Sequence, residues 1–154
     1  MTIAVTSPVV ALTTFTGLTN PTYTLVADQA PANAKAYVVS TLGGTQTGVE
    51  VSSASNPFTL QFTRPASLRT LPALQANGQL ANVPKNVWVA STRKGVDVLS
   101  GQPKQVMTCR VDFGVPAGAD VADPESVRAC IAMFLAALAE SADDIASSII
   151  QGSL

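Results

Sequence analysis

Apolar residues follow two rhythms along this chain, and the change between them divides it. Up to about residue 113 they come in short runs that alternate with polar residues, the period of half-buried strands. After Pro124 they recur every third or fourth residue, the period of a helix face. Val127, Cys130, Ile131, Phe134, Leu135 and Leu138 form that face. The other side carries Ala129, Ala132, Met133, Ala136 and Ala137, so little polar interrupts the helix between Arg128 and Glu140. A helix apolar nearly all round needs a second surface to cover it, and another copy of the chain is the simplest supplier.

The elements predicted from these rhythms run as follows. VVALTTF and TYTLVA, separated by Gly17 and Asn20-Pro21, suggest an N-terminal hairpin. KAYVVST and TGVEVSS flank Leu42-Gly43-Gly44-Thr45 and suggest a second one. In PFTLQFTRP, Phe58, Leu60 and Phe62 alternate with Thr59, Gln61 and Thr63. Residues 65–84, rich in proline, read as a long connection within one domain. Asn86 to Thr92 is a strand, with Val87 and Val89 on one face and Trp88, Ala90 and Thr92 on the other. A loop from Arg93 to Lys104 leads to the last strand, where Met107, Cys109, Val111 and Phe113 alternate with Thr108, Arg110 and Asp112.

Asp123 suits the N-cap of the first helix, with Pro124 at its first position and Glu125 at the positive end of its dipole. Ser141 with Asp144 resembles a capping box for a second helix, which Gly152 ends. Six or seven antiparallel strands followed by two helices make an α+β chain, read as a single domain over residues 1–154.

Charge refines the picture. Charged residues make up 12% of the sequence and the formal net charge is -1. Residues 58–110 nevertheless hold seven basic residues, Arg64, Arg69, Lys85, Arg93, Lys94, Lys104 and Arg110, against the single acid Asp97. Residues 111–154 hold one base, Arg128, against seven acids. The middle of the chain suits a polyanion and the tail does not. The N-terminus lacks the basic and apolar regions of a signal peptide, and the longest apolar run is too short to span a bilayer, so a cytosolic, non-membrane protein is expected. Cys109 and Cys130 sit on apolar patterns and are expected to be buried free thiols.

Candidate chemistry narrows quickly. The sequence has no histidine, which removes the imidazole-based nucleophile arrangements, and two isolated cysteines make no zinc site. No phosphate-binding glycine loop occurs. Of the acidic cluster Asp120, Asp123 and Glu125, helix capping explains two members before any metal is invoked. No cofactor and no enzymatic activity are expected. One candidate surface is left. If the three central strands lie side by side, Gln61, Thr63, Trp88, Thr92, Thr108 and Arg110 share a face, offering hydrogen bonds, a phosphate contact and an aromatic plane for an unpaired base. A merely solvated sheet face explains the same residues, and composition leaves both open.

The text NVWVASTRKGVDVLSGQPKQVM, followed by DFGVPAGADVADPESVRACIAMFLAALAE, resembles the coat proteins of single-stranded RNA bacteriophages, the leviviruses. Upstream of Asn86 the similarity is one of architecture, and the 65–84 connection is longer than in the best-known members. The resemblance implies an N-terminal hairpin, an antiparallel sheet of about five strands, and two C-terminal helices that pack on a dimer partner. It further implies homodimers that share one continuous sheet and close into an icosahedral shell, with the Arg93 to Lys104 loop around the symmetry axes. That loop has no cysteine, so the disulfide rings of some family shells are not expected.

For function the resemblance implies an RNA hairpin of the genome on the inward sheet face, which represses replicase translation and marks the genome for packaging. Carried over by position, the contact set is Thr59, Gln61, Thr63, Trp88, Thr92, Thr108 and Arg110. The partners implied are a second copy, single-stranded genomic RNA and the phage maturation protein. The implied location is the virion, assembled in the cytoplasm of the bacterial host. Two other readings stay open: a dimeric RNA-binding regulator that forms no particles, and a β-rich structural module that binds no RNA.

Overall fold

A computed structural model describes residues 3–153. Six strands form one antiparallel sheet in chain order: β1 (Val9–Val10), β2 (Thr19–Asp28), β3 (Ala34–Thr45), β4 (Phe58–Thr63), β5 (Lys85–Val96) and β6 (Gln105–Pro116). Three helices follow, α1 (Ala119–Ala122), α2 (Pro124–Glu140) and α3 (Ala142–Gln151). The α+β order and the N-terminal hairpin are as the sequence predicts. The hairpin's first arm is short, because only Val9 and Val10 pair with Tyr23 and Thr22. The sheet is a simple meander, in which each strand lies beside its sequence neighbour. Strand β6 therefore forms one margin, and residues 105–110 along it are all exposed.

The second predicted hairpin is corrected. Strand β3 runs straight through Gly43 and Gly44, and TGVEVSS falls in the irregular connection 46–57. The two glycines answer a need for space, not for a turn. The β2–β3 register shifts between Thr19 and Thr22, where Asn20 has φ 44°. Gly44 has φ 74°, and a Cβ there would collide with the backbone oxygens of Thr19 and Asn20. A Cβ on Gly43 would meet the Thr22 hydroxyl. The glycines let two bulged backbones approach.

Two asparagines tie the long connections to the sheet. Asn86 is 8% exposed; its side chain accepts from the Arg69 amide at 2.8 Å and donates to the Arg69 carbonyl at 3.0 Å, holding 65–84 against β5. Asn56 is 2% exposed, donates to Glu50 Oε2 at 2.6 Å and accepts from Lys94 Nζ at 3.0 Å. Lys104 pairs with Asp97 at 2.8 Å and lies 3.5 Å from Glu50, so the β3–β4 connection braces the base of the β5–β6 loop. That loop is shorter than predicted, since pairing continues to Val96 and Gln105 and leaves only residues 97–104 unpaired.

Helix α2 starts as its sequence dictates. The Asp123 side chain accepts from the Ser126 amide at 3.1 Å, and hydrogen bonds from Ser126 hold its carboxyl below the ordinary range. The Ser141 box does not form: Ser141 caps α3 with no side-chain hydrogen bond. Asp143 instead accepts from the Thr16 amide at 2.8 Å and from the Thr16 hydroxyl at 3.0 Å, linking α3 to the N-terminal hairpin. Gly152, at φ 68°, ends α3 as expected.

Very little of the apolar surface is covered. Among the described residues, Pro21, Val39 and Ala117 are the only buried aliphatic or aromatic side chains, and α2 and α3 have no buried residue. Met133, Phe134 and Leu135 are exposed on α2, as are Ile145, Ile149 and Ile150 on α3. The expectation of buried thiols is corrected too, since Cys109 and Cys130 are both exposed. They do lie on apolar faces, but the same chain covers those faces only in part. No described helix is long and apolar enough to cross a membrane.

The bulge predicts a stability contrast between two glycines with similar positive φ. Gly44→Ala should cost roughly 3 kcal/mol, combining left-handed strain with collision. Gly48→Ala, where nothing lies within 4 Å of the new Cβ, should cost about 1 kcal/mol. Denaturant midpoints at one fixed protein concentration would check this, and equal losses would contradict the bulge.

Candidate nucleic-acid interface

Cross-strand register decides which side chains share a face, because directly opposed residues of an antiparallel pair point the same way. Strand β4 sets Thr59 opposite Arg93, Gln61 opposite Ser91 and Thr63 opposite Val89. Strand β6 continues each row, with Thr108 opposite Arg93, Arg110 opposite Ser91 and Asp112 opposite Val89. On the other side, Val38, Ala36 and Ala34 of β3 extend the rows past Thr59, Gln61 and Thr63. Three polar rows thus cross the sheet perpendicular to its strands: Thr59–Arg93–Thr108, Gln61–Ser91–Arg110 and Thr63–Val89–Asp112.

The opposite face is largely apolar. Trp88 faces Phe113, Ala90 lies between Phe62 and Val111, and Thr92 lies between Leu60 and Cys109. Phe58 continues the patch with an edge-on contact to Tyr23, ring centroids 5.5 Å apart, and Lys94 Nζ sits 5.1 Å from the Phe58 ring centre. Burial holds the Lys94 ammonium below its usual pKa, with the Glu50 charge opposing the shift. Beside the end of β6, Phe113 and the α2 residues Val127, Cys130, Ile131 and Phe134 line an open groove of about 420 Å³.

Five of the seven predicted residues therefore come together: Thr59, Gln61, Thr63, Thr108 and Arg110. Trp88 and Thr92 do not join them, and this corrects the shared face expected from alternation. The alternation within each strand is as predicted, but the matching of faces between strands is not. Residues 97–104 form a β5–β6 loop of even length, so even positions of β5 oppose odd positions of β6. Trp88 and Thr92 consequently side with Cys109 and Phe113, and the aromatic residues of all three strands gather on one side, while Val87, Val89 and Val106 stay on the polar one. Ser91, Arg93 and Asp112 take their places on the polar face. The clue in the sequence was the S-x-R spacing of Ser91 and Arg93, which matches T-x-R in β6, but it is usable only once the loop ends are known.

Local contacts order this polar face. The Gln61 side-chain amide donates to the Thr63 hydroxyl at 3.2 Å. Arg110 donates twice to Asp112, from Nε at 2.7 Å and from Nη2 at 3.2 Å. The hydrogen bond to Asp112, and then its charge, raise the Arg110 pKa above the ordinary arginine value. The hydroxyls, amide and guanidinium groups suit hydrogen bonding to phosphates and base edges.

No protein-family model and no curated protein matches the chain. Among solved structures, the virus-like particle of bacteriophage ESE020 aligns with a TM-score of 0.96 and 39% sequence identity, covering 99% of this chain and 100% of that one. The virus-like particle of Wenzhou levi-like virus 4 aligns with a TM-score of 0.42 and 18% identity, covering 82% of this chain and 77% of that one.

The face assignment makes the only tryptophan a reporter. With Trp88 on the apolar side, adding an RNA oligonucleotide should leave its fluorescence within about a tenth of the starting intensity, whereas dissociating protein assemblies should shift its emission to the red. Strong quenching by RNA under conditions that preserve assembly would place Trp88 on the wrong face.

Proposed function

The chain belongs to the levivirus-like coat proteins of single-stranded RNA bacteriophages, and from that premise we propose that it builds an icosahedral capsid from interlocked homodimers and packages the RNA genome. The observation that carries the proposal is the full-length likeness to a chain that forms virus-like particles. The role is structural, and its place is the virion shell.

The physical argument for a dimer is one of surface. The single chain exposes 10860 Å², where a folded monomer of 15.8 kDa exposes about 7,300 Å². The excess, about 3,500 Å² per chain and so about 7,000 Å² for a pair, is as large as the most extensive obligate interfaces. Two β6 margins joined about a two-fold axis satisfy the unpaired edge and continue the sheet from one protomer into its partner. Each α2 stripe then lies across the apolar face of the partner, over Trp88, Phe113 and their neighbours. This arrangement also removes Cys109 and Cys130 from water.

With one face of the sheet covered by helices, the three polar rows face the interior. There Thr59, Gln61, Thr63, Thr108 and Arg110, joined by Ser91 and Arg93, bind a hairpin of the genome. That contact couples packaging to repression of translation. The acidic tail, in α2 and α3, belongs to the covering layer and lies away from the polyanion. Weaker contacts around the 97–104 loops close the shell, and the maturation protein joins it as a further partner in the bacterial cytoplasm.

Expression of the full chain in bacteria, followed by size-exclusion chromatography, electron microscopy and an ultraviolet absorbance ratio, tests the proposal. The expected product is a uniform population of closed particles that contain nucleic acid. A dimer that does not grow even with added RNA would overturn the capsid role, and a monomer would overturn the interface as well.

A further inference from the structure

The two arginines of the polar face are not equivalent. Arg93 is exposed, and among the described residues it makes no ion pair and no side-chain hydrogen bond. Its direct cross-strand neighbours are Thr59 and Thr108, so a hydroxyl flanks the guanidinium on each side. Arg110 is engaged: two of its donors are spent on Asp112, whose carboxylate is half exposed on the same face. To an approaching phosphate, Arg93 offers an uncompensated charge and a free donor fork. The Arg110–Asp112 pair offers almost no net charge.

Resting on the RNA reading above, we propose that Arg93 is the phosphate anchor of the sheet face and that Asp112 is a specificity element, which masks Arg110 and turns phosphate away from the third row. The sugar-phosphate backbone then follows the Thr59–Arg93–Thr108 row across the strands. Bases lie over the Gln61–Ser91 row and the Thr63 end of the face, where the amide, the hydroxyls and the carboxylate present hydrogen-bonding groups to base edges. An acid on a polyanion-binding face lowers attraction for any RNA that only supplies charge. The row order thereby fixes which side of the strand carries the backbone.

Salt dependence separates the two arginines, since each phosphate neutralised contributes a slope of about 0.7 to 0.9 in log affinity against log salt. The probe is a fluorescein-labelled oligouridylate of twelve nucleotides, titrated against the full-length protein below its assembly concentration at several salt concentrations. Arg93→Ala should flatten the slope by about one phosphate and weaken binding about five- to eightfold at 0.1 M salt. Arg93→Lys should restore the slope. Arg110→Ala should change the slope little yet weaken binding, because it uncovers the Asp112 carboxylate, and Asp112→Asn should steepen the slope and tighten binding by a similar five- to eightfold factor.

An Arg93→Ala slope equal to that of the unchanged protein, or an Asp112→Asn affinity no higher, would overturn the assignment and leave RNA binding standing. Absence of binding by the unchanged protein at low salt would instead overturn the RNA reading on which the assignment rests.

Discussion

Apolar side chains without cover in their own chain are the constraint on which the rest of this structure depends. The sheet is amphipathic, its apolar face carries Trp88, Phe58, Leu60, Phe62 and Phe113, and the helix made to cover such a face leaves its own stripe open at Phe134 and Leu135. The hydrophobic term is the main stabilising contribution to folding, and here much of it is unrealised in one copy. Stability is then inseparable from association, and the β6 margin makes the same demand through unpaired backbone groups. The proposed dimer meets both demands with one symmetric contact.

That arrangement also explains the polarity of the other face. A sheet covered on one side can keep the other for hydrogen-bonding and charged groups, as antiparallel sheets do. Its three rows are graded: a free guanidinium between hydroxyls in the first, and a guanidinium neutralised by Asp112 at the far end. On the proposed RNA-binding face, charge that is partly masked, with most acids placed in the helices, lowers attraction for RNA that only supplies charge.

Glycine and asparagine show how local signals acquire their meaning from neighbours. Gly43-Gly44 has the composition of a tight turn, yet it lies within a strand because the backbones of β2 and β3 press together there. Asn56 and Asn86 carry no strong signal, but each is buried with its amide satisfied and each fastens a long connection to the sheet. A polar group can be buried only with its partners in place. Such residues are legible after the chain is folded and hardly before.

The sequence by itself determined the N-terminal hairpin, the order of strands before helices, the Asp123 cap, and the alternation within β4, β5 and β6, because periodicity and capping are local properties. It also signalled the missing cover, since a helix apolar nearly all round cannot be satisfied alone. Only the tertiary structure decided which alternating set of one strand lies beside which set of the next. A shift of one residue in a loop end reverses that choice, and nothing local marks where the loop between Val96 and Gln105 begins. For that reason five of the seven expected contact residues share the polar face, Trp88 and Thr92 turn to the apolar one, and Arg93 emerges as a candidate only when the register is known.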